Sequence, residues 1–178
     1  MNIYKSIKYS QVTLKKLNIR DYSNNYLTWM NDKKVHEFTE QKYTKHTKTD
    51  IINFIKSKQN SKKEKVYGIF LKMKNKNKHI GNIKLGPIDY IHKNALISYF
   101  IGEKEFWGKN ITTFAIKKLL IIAKKKYKLK KIFAGLYSNN IGSEKVLKKN
   151  GFKKEGHFKN HLVYKKKRID HIFYGIDI

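Results

Sequence analysis

The sequence predicts a mixed α/β fold, one sheet of about seven strands flanked by about four helices. Three observations carry this. Short β-rich stretches with strand periodicity recur at both ends and in the middle of the chain. Residues 112–127 place Phe114, Ala115, Leu119, Ile122 and Ala123 at helical spacing with lysines on the other face. After residue 95, strands and helices alternate before two closing strands, the order of a sheet packed by helices.

Along the chain, QVTLKKLNI at 11–19 predicts the first strand, and Asp21 the N-cap of a helix over 22–31. Thr47 or Thr49 opens a second helix that ends near Lys58. KVYGIFLKM at 65–73 and HIGNIKLGPI at 79–88 predict two strands joined by the turn-forming NKNK at 75–78. ALISYFIG at 95–102 is a third, more apolar strand, followed by the helix over 112–127 and the strand KIFAGLY at 131–137. Residues 140–150 predict a short helix closed by Gly151, and 152–178 alternates as two long strands. No repeat and no Gly/Ser/Pro linker divides the sequence, which predicts a single domain over 1–178. A chain of this length buries roughly two-thirds of its unfolded surface.

Composition narrows the chemistry. With no cysteine, the chain has no disulfide framework, no thiolate zinc site and no thiol nucleophile, and no metal is expected. The most apolar run, Ile111 to Ala123, is broken by Lys117 and Lys118 and is too short to span a bilayer. No membrane partner is expected, and the cytoplasm is the default location. The net charge of +28 is the footprint first sought in a nucleic-acid binder, yet of 41 basic residues only Arg20 and Arg168 are arginines. Bidentate base reading draws on arginine, so a nucleic-acid partner is not expected. Abundant Lys, Asn, Ile, Tyr and Phe is what A+T-rich coding produces at tolerant positions. The charge still steers anionic ligands inward.

Two strand-turn-helix segments carry chemistry. In the first, ALISYFIG runs through EKEFWGKNIT into a helix whose first N–H groups suit a pyrophosphate, with Gly108 permitting close approach and Lys109 adding charge. On local evidence alone, a Gly before a helix is far more often a plain turn. In the second, SNNIGSEKVLKKNGF at 138–152, Asn140 is a natural N-cap and Ser143 sits one turn later on the same face. A capped helix with a glycine stop explains that segment by itself.

Read together, N-x-x-S-x-x-V-L-x-K-x-G-F, carried by Asn140, Ser143, Val146, Leu147, Lys149, Gly151 and Phe152, resembles the GCN5-related N-acetyltransferase (GNAT) superfamily. More narrowly it is similar to the branch of ribosomal-protein-alanine acetyltransferases. YLTWMND at 26–32, HIGNIKLGPI at 79–88, IGEKEFWGK at 101–109 and KKEGHF at 153–158 recur in that branch's order, so the resemblance covers residues 11–178.

The resemblance implies a GNAT fold in which the fourth and fifth strands, 95–102 and 131–137, splay apart, with acetyl-coenzyme A as cofactor. Pantetheine would lie in the split against the main chain of Phe100, Ile101 and Gly102. The pyrophosphate would meet N–H groups of Trp107, Gly108, Lys109, Asn110, Ile111 and Thr112. Asn140 and Ser143 would face the pantetheine arm. Splayed edges suit such an arm, because its amides replace the missing ladder. The sequence departs from the pattern in four places. Gly108-Lys109-Asn110 stands where relatives have G-x-G or G-x-A, and Asn is the commonest non-Gly residue at positive φ, which predicts that the loop keeps its shape. Phe114 stands where many relatives carry Glu, and Leu147 where many carry an acidic Tyr. The branch's carboxylate base falls at Leu162.

The implied reaction is direct acetyl transfer to an amine in a ternary complex. An alkyl ammonium has a pKa of about 10 and must lose a proton, whereas a thiolate of pKa about 8.5 needs modest help to leave. Main-chain N–H groups of strand 95–102 would polarise the thioester carbonyl. Asn140, Ser143 and His161 are the catalytic candidates, with Ser143 beside the leaving sulfur; His157, Glu103 and a water relay remain open as bases. Trp29, Tyr43, Glu103 and His157 are the acceptor-binding candidates.

For the acceptor, the YLTWMND and HIGNIKLGPI patterns are most similar to members that act on amino groups of nucleotide-linked sugars, an anionic class that suits a +28 protein. A protein N-terminus is the alternative, with basic termini repelled. A basic RNA-associated module without catalysis is the third reading, drawing on Phe152, Phe158 and Tyr164 among lysines. A small-molecule partner and a monomer or homodimer are expected.

Overall fold

The structure, a computed structural model, describes residues 6–74 and 76–178; Asn75, at the head of the expected NKNK turn, lies outside them. The strands are β1 (Val12–Lys16), β2 (Lys65–Lys72), β3 (Asn77–Asp89), β4 (Asn94–Ile101), β5 (Lys131–Tyr137), β6 (Lys153–Tyr164) and β7 (Lys167–Asp177). The helices are α1 (Asn24–Asn31), α2 (Lys48–Gln59), α3 (Ile111–Tyr127) and α4 (Ile141–Lys149). The seven strands form one sheet in the order β1-β2-β3-β4-β5-β7-β6, antiparallel except where β4 meets β5.

Local chemistry explains the helix starts. Ser23, not the expected Asp21, caps α1, accepting from the Tyr26 N–H at 3.1 Å. Asp21 is taken by the preceding turn, where it accepts from the Asn18 N–H at 2.8 Å. Side chains of this type satisfy whichever nearby orphan donor the backbone offers first. Thr47 and Asp50 form a reciprocal capping box at α2. Gly151 takes φ +85° after α4, the left-handed stop expected of it.

Helices cover both faces of the sheet. Val66 of β2 packs with Tyr26 and Trp29 of α1 and Ile51 and Ile55 of α2. The adjacent Tyr67, facing the other way, joins Ile111, Ala115, Ile116, Leu119 and Ala123 of α3 and Leu147 of α4. Each large apolar side chain so buried contributes about 1.5–3 kcal/mol. Among the described residues no helix is long and apolar enough to cross a membrane.

The break in the sheet lies between β4 and β5. They pair only from Asn94↔Lys131 to Leu96↔Phe133. Beyond that each keeps its outer neighbour, β4 to β3 as far as Ile101↔Gly81 and β5 to β7 as far as Tyr137↔His171. The register of β3 against β4 shifts between Leu85 and Ile88, opposite the stretch from Ile97 back to Ala95. An extra residue there bends and twists the strand pair. The kink therefore coincides with the point where β4 leaves β5.

Candidate active site

The parted strands open a cleft of about 590 Å³. Its walls are β4 from Ile97 to Ile101, β5 from Ala134 to Leu136, the start of α3, the first turns of α4 and the segment after α1 from Lys34 to Thr39.

The polarity of the β4 edge follows from its hydrogen bonds. The Gly102 N–H donates to the Ile80 oxygen at 2.9 Å, which turns Gly102 and, by alternation, Phe100 toward β3. The Phe100 carbonyl accordingly lies against Gly81, where a Cβ would overlap it. Ile97, Tyr99 and Ile101 therefore present their main-chain groups to the cleft. Of the expected Phe100, Ile101 and Gly102, only Ile101 offers main chain there, and its carbonyl already accepts from Trp107 Nε1 at 2.8 Å. Phe100 lines the cleft with its side chain.

The loop from Trp107 to Thr112 lines one end. Gly108 has φ +72° with open space where a side chain would be, and Asn110 adopts φ +58°, so asparagine holds the left-handed turn anticipated for it. Asn110 is the N-cap residue of α3 but its side chain makes no capping bond; its Oδ1 accepts instead from Lys149 Nζ at 2.9 Å. No acidic residue stands in the first turn of this 17-residue helix. Its first N–H groups and dipole thus face the cleft, where Lys109, Lys145 and Lys149 also stand. These features fit a diphosphate, and the unbonded strand edges fit an amide-bearing arm.

Asn140 and Ser143 line the same cleft. The Asn140 Oδ1 caps α4, accepting from the Ser143 N–H at 3.1 Å. Tyr99, on β4, interacts with the Ser143 side chain; burial pushes the Tyr99 phenol up to about 12, partly offset by Ser143. Tyr99 was missed because Leu147 at the usual tyrosine position drew attention to α4 alone. Finding it requires placing β4 against α4.

The acceptor candidates are dispersed. Trp29 is buried in the α1 layer, donating from Nε1 to Glu103 Oε1 at 3.2 Å, and Glu103 also accepts from Lys78 at 2.8 Å. Neither lines the cleft. Tyr43 is exposed, and His157 bonds Asp170 at 2.6 Å. His161 is exposed and stacks on His171, with ring centroids 5.6 Å apart.

His171 is the second residue missed. It pairs with Tyr137 across β5 and β7, and its Nε2 occupies the space where a Cβ on the cleft-lining Gly135 would be. Burial first, then the neighbouring His161, hold its imidazole below the ordinary range and favour a neutral ring. Glu37 is the third; it lines the cleft, accepts from the Tyr164 hydroxyl and pairs with Lys165 at 3.5 Å. The Tyr164 bond first, then Lys165, keep its carboxyl low and charged.

Comparison with known proteins points the same way as the cleft. Residues 11–153 match the acetyltransferase (GNAT) domain family. The chain is 42% identical over 64 residues, 36% of its length, to the Bacillus subtilis (strain 168) protein named "Probable N-acetyltransferase YjcK". It is 31% identical over 96 residues, 54% of its length, to that organism's "Putative ribosomal N-acetyltransferase YdaF". The matched stretches span 35% and 52% of those two relatives. Among solved structures, spermidine N-acetyltransferase from Vibrio cholerae in complex with CoA and spermine has the same fold, with a TM-score of 0.81 at 20% identity over 94% of this chain and 96% of that one.

Proposed function

Because the chain belongs to the GNAT acetyltransferase family, we propose that it works as a single-domain enzyme moving the acetyl group of acetyl-coenzyme A to a small primary amine. The observation that carries this is the gap between β4 and β5 ending on the uncapped N-terminus of α3. The coenzyme, when bound, supplies an activated acetyl thioester.

The chain's own groups divide the remaining work. Ile97, Tyr99 and Ile101 offer an edge along which an amide arm aligns. The first N–H groups of α3, with Lys109, Lys145 and Lys149, hold phosphates. Ser143, backed by Tyr99, stands where a leaving thiolate needs a proton. His171, kept neutral and steadied by His161, takes the proton that an attacking ammonium must lose.

The amino-sugar expectation drew on the YLTWMND and HIGNIKLGPI patterns and on a positive charge suited to an anionic acceptor. Three of the cleft's lysines stand with the phosphate loop and α4, where the donor's phosphates account for them. The opposite wall presents Glu37, Phe38 and Thr39 beside Lys34. That composition favours a small aliphatic amine over a nucleotide-linked sugar.

The test is calorimetric titration with coenzyme A, then thiol release with a panel of short amines, aminated sugar nucleotides and N-terminal peptides. Micromolar coenzyme binding with turnover of short amines supports the reading. Absence of coenzyme binding removes it, and preferred turnover of sugar nucleotides or peptides transfers the acceptor assignment to that class.

A further inference from the structure

Beside the cleft, three tyrosine rings from distant parts of the chain meet around one cation. The Lys42 ammonium lies 4.4 Å from the ring centroid of Tyr137, 4.9 Å from Tyr43 and 5.8 Å from Tyr164. It donates to the Tyr137 hydroxyl at 3.2 Å and to the Glu37 main-chain oxygen at 3.3 Å. Among the described residues it makes no ion pair with a carboxylate.

The nearby carboxylates are engaged with the rings instead. Tyr137 donates to Glu40 Oε1 at 2.6 Å, and Tyr164 donates to Glu37. A phenol that shares its proton with a carboxylate has a more electron-rich ring, which strengthens its pull on a cation. Phe38 completes the wall, stacked on Tyr164 with centroids 5.5 Å apart and set edge-on to Tyr137 at 6.1 Å. Phe38 and Glu37 also line the cleft, so the ring cluster and the cleft share a wall. A lysine serving only to pin a loop would gain most from a direct ion pair, and the Glu40 carboxylate, one hydrogen bond beyond the Tyr137 hydroxyl, does not supply it. Three rings around an ammonium is instead the way proteins hold a cationic ligand.

We propose that this cage is the distal subsite for an acceptor carrying two amino groups, one held as an ammonium in the position Lys42 fills, the other delivered to the cleft. The inference rests on the acetyl-transfer reading and names its substrate class, an aliphatic diamine. Lys42 is a tethered stand-in that leaves when the acceptor arrives. The net charge of +28 opposes cations only at a distance, because salt screens it beyond about 8 Å. At contact the cage decides.

The test compares 1,4-diaminobutane with butylamine in thiol-release assays on the full chain. Lys42→Ala lowers the ratio of KM for the diamine to KM for the monoamine about tenfold, since no internal ammonium competes. Tyr43→Leu, at an exposed position, raises that ratio several-fold. Calorimetry with tetramethylammonium chloride gives a readout free of catalysis: the Lys42→Ala chain binds it and the unaltered chain does not. An unchanged ratio in both variants, or no tetramethylammonium binding to Lys42→Ala, overturns the cage. Loss of coenzyme A binding in the unaltered chain strikes the acetyl-transfer reading instead and leaves the tetramethylammonium result standing.

Discussion

The indole nitrogen of Trp107 donates to the main-chain oxygen of Ile101 at 2.8 Å, tying the loop before α3 to the edge of β4. Trp107 is otherwise half in solvent, so its hydrogen bond rather than its burial accounts for its position. A bond of this kind contributes about 1–1.5 kcal/mol. Trp107→Phe keeps the ring and removes the donor. It raises the Kd for coenzyme A about 5- to 10-fold by calorimetry, and an unaltered Kd would show that the loop is anchored elsewhere.

Gly102 and Trp29 constrain each other more severely. A Cβ on Gly102 would overlap the buried indole, which also carries the bond to Glu103. Gly102→Ala therefore costs about 1–3 kcal/mol of stability in urea unfolding. In the Trp29→Leu background the same change costs less, because the obstructing ring is gone. Equal costs in both backgrounds would refute the contact.

His36 gives a pH dependence with a definite sign. Its ring is buried against Phe100, its Nδ1 bonds the Thr39 hydroxyl at 3.0 Å, and its buried Nε2 has no partner among the described residues. Burial first, then His46, lower its pKa from 6.5 to about 4, against a smaller opposing pull from Asp32. Between those values the unfolded chain binds the proton more readily. The stability due to neutral His36 is thus complete above pH 6.5 and is lost as pH falls toward 4, by about 3 kcal/mol. His36→Phe flattens the pH profile of unfolding by that amount. His79 and His171 shift in the same direction, so the difference between the two profiles is the quantity to measure.

His171 and Gly135 test the proton acceptor. His171→Gln keeps a polar side chain but cannot take up a proton, and lowers kcat about 100-fold while coenzyme A still binds. The acid limb of kcat/KM, set below 6.5 in the unaltered chain by burial and by His161 against the weaker influence of Glu40, disappears in the variant. Gly135→Ala pushes the imidazole aside and produces a similar loss. A surviving acid limb in His171→Gln would point to another base.

What could be seen in the sequence divides along chain distance. The strand over 131–137, the Asn140 cap, the Gly151 stop and the left-handed Asn110 depend on neighbours within a few residues, and they stand where the pattern put them. The Ser23 cap was obscured because Asp21, two residues earlier, is an equally good capping side chain claimed by a different turn. His171 beside Gly135 depends on the pairing of β5 with β7 across more than thirty residues, which no local periodicity encodes. The cage of Tyr43, Tyr137 and Tyr164 joins three segments, and although the sequence marks Tyr43 and Tyr164 singly as candidate stacking rings, nothing local brings them together with Tyr137. Trp29 is the converse case: a tryptophan in a short polar helix suggests a stacking platform, whereas the missing side chain of Gly102 lets it sink into the core.

Tyr99 and Ser143 bear on how a chain with leucine at position 147 protonates its leaving group. A serine hydroxyl is a weak acid by itself, and the Tyr99 phenol, raised to about 12 by burial, is no stronger than usual. On the acetyl-transfer reading their value lies in order: Ser143 is the group nearer the leaving sulfur, and Tyr99 is the positioning residue behind it. Ser143→Ala lowers kcat about 100-fold and Tyr99→Phe about tenfold. The double variant is no slower than Ser143→Ala, because the tyrosine acts through the serine. With an acetyl thioester of a more acidic thiol, the leaving group needs less help and both defects shrink. Additive losses, or defects indifferent to thiol acidity, would assign the pair to packing of β4 against α4.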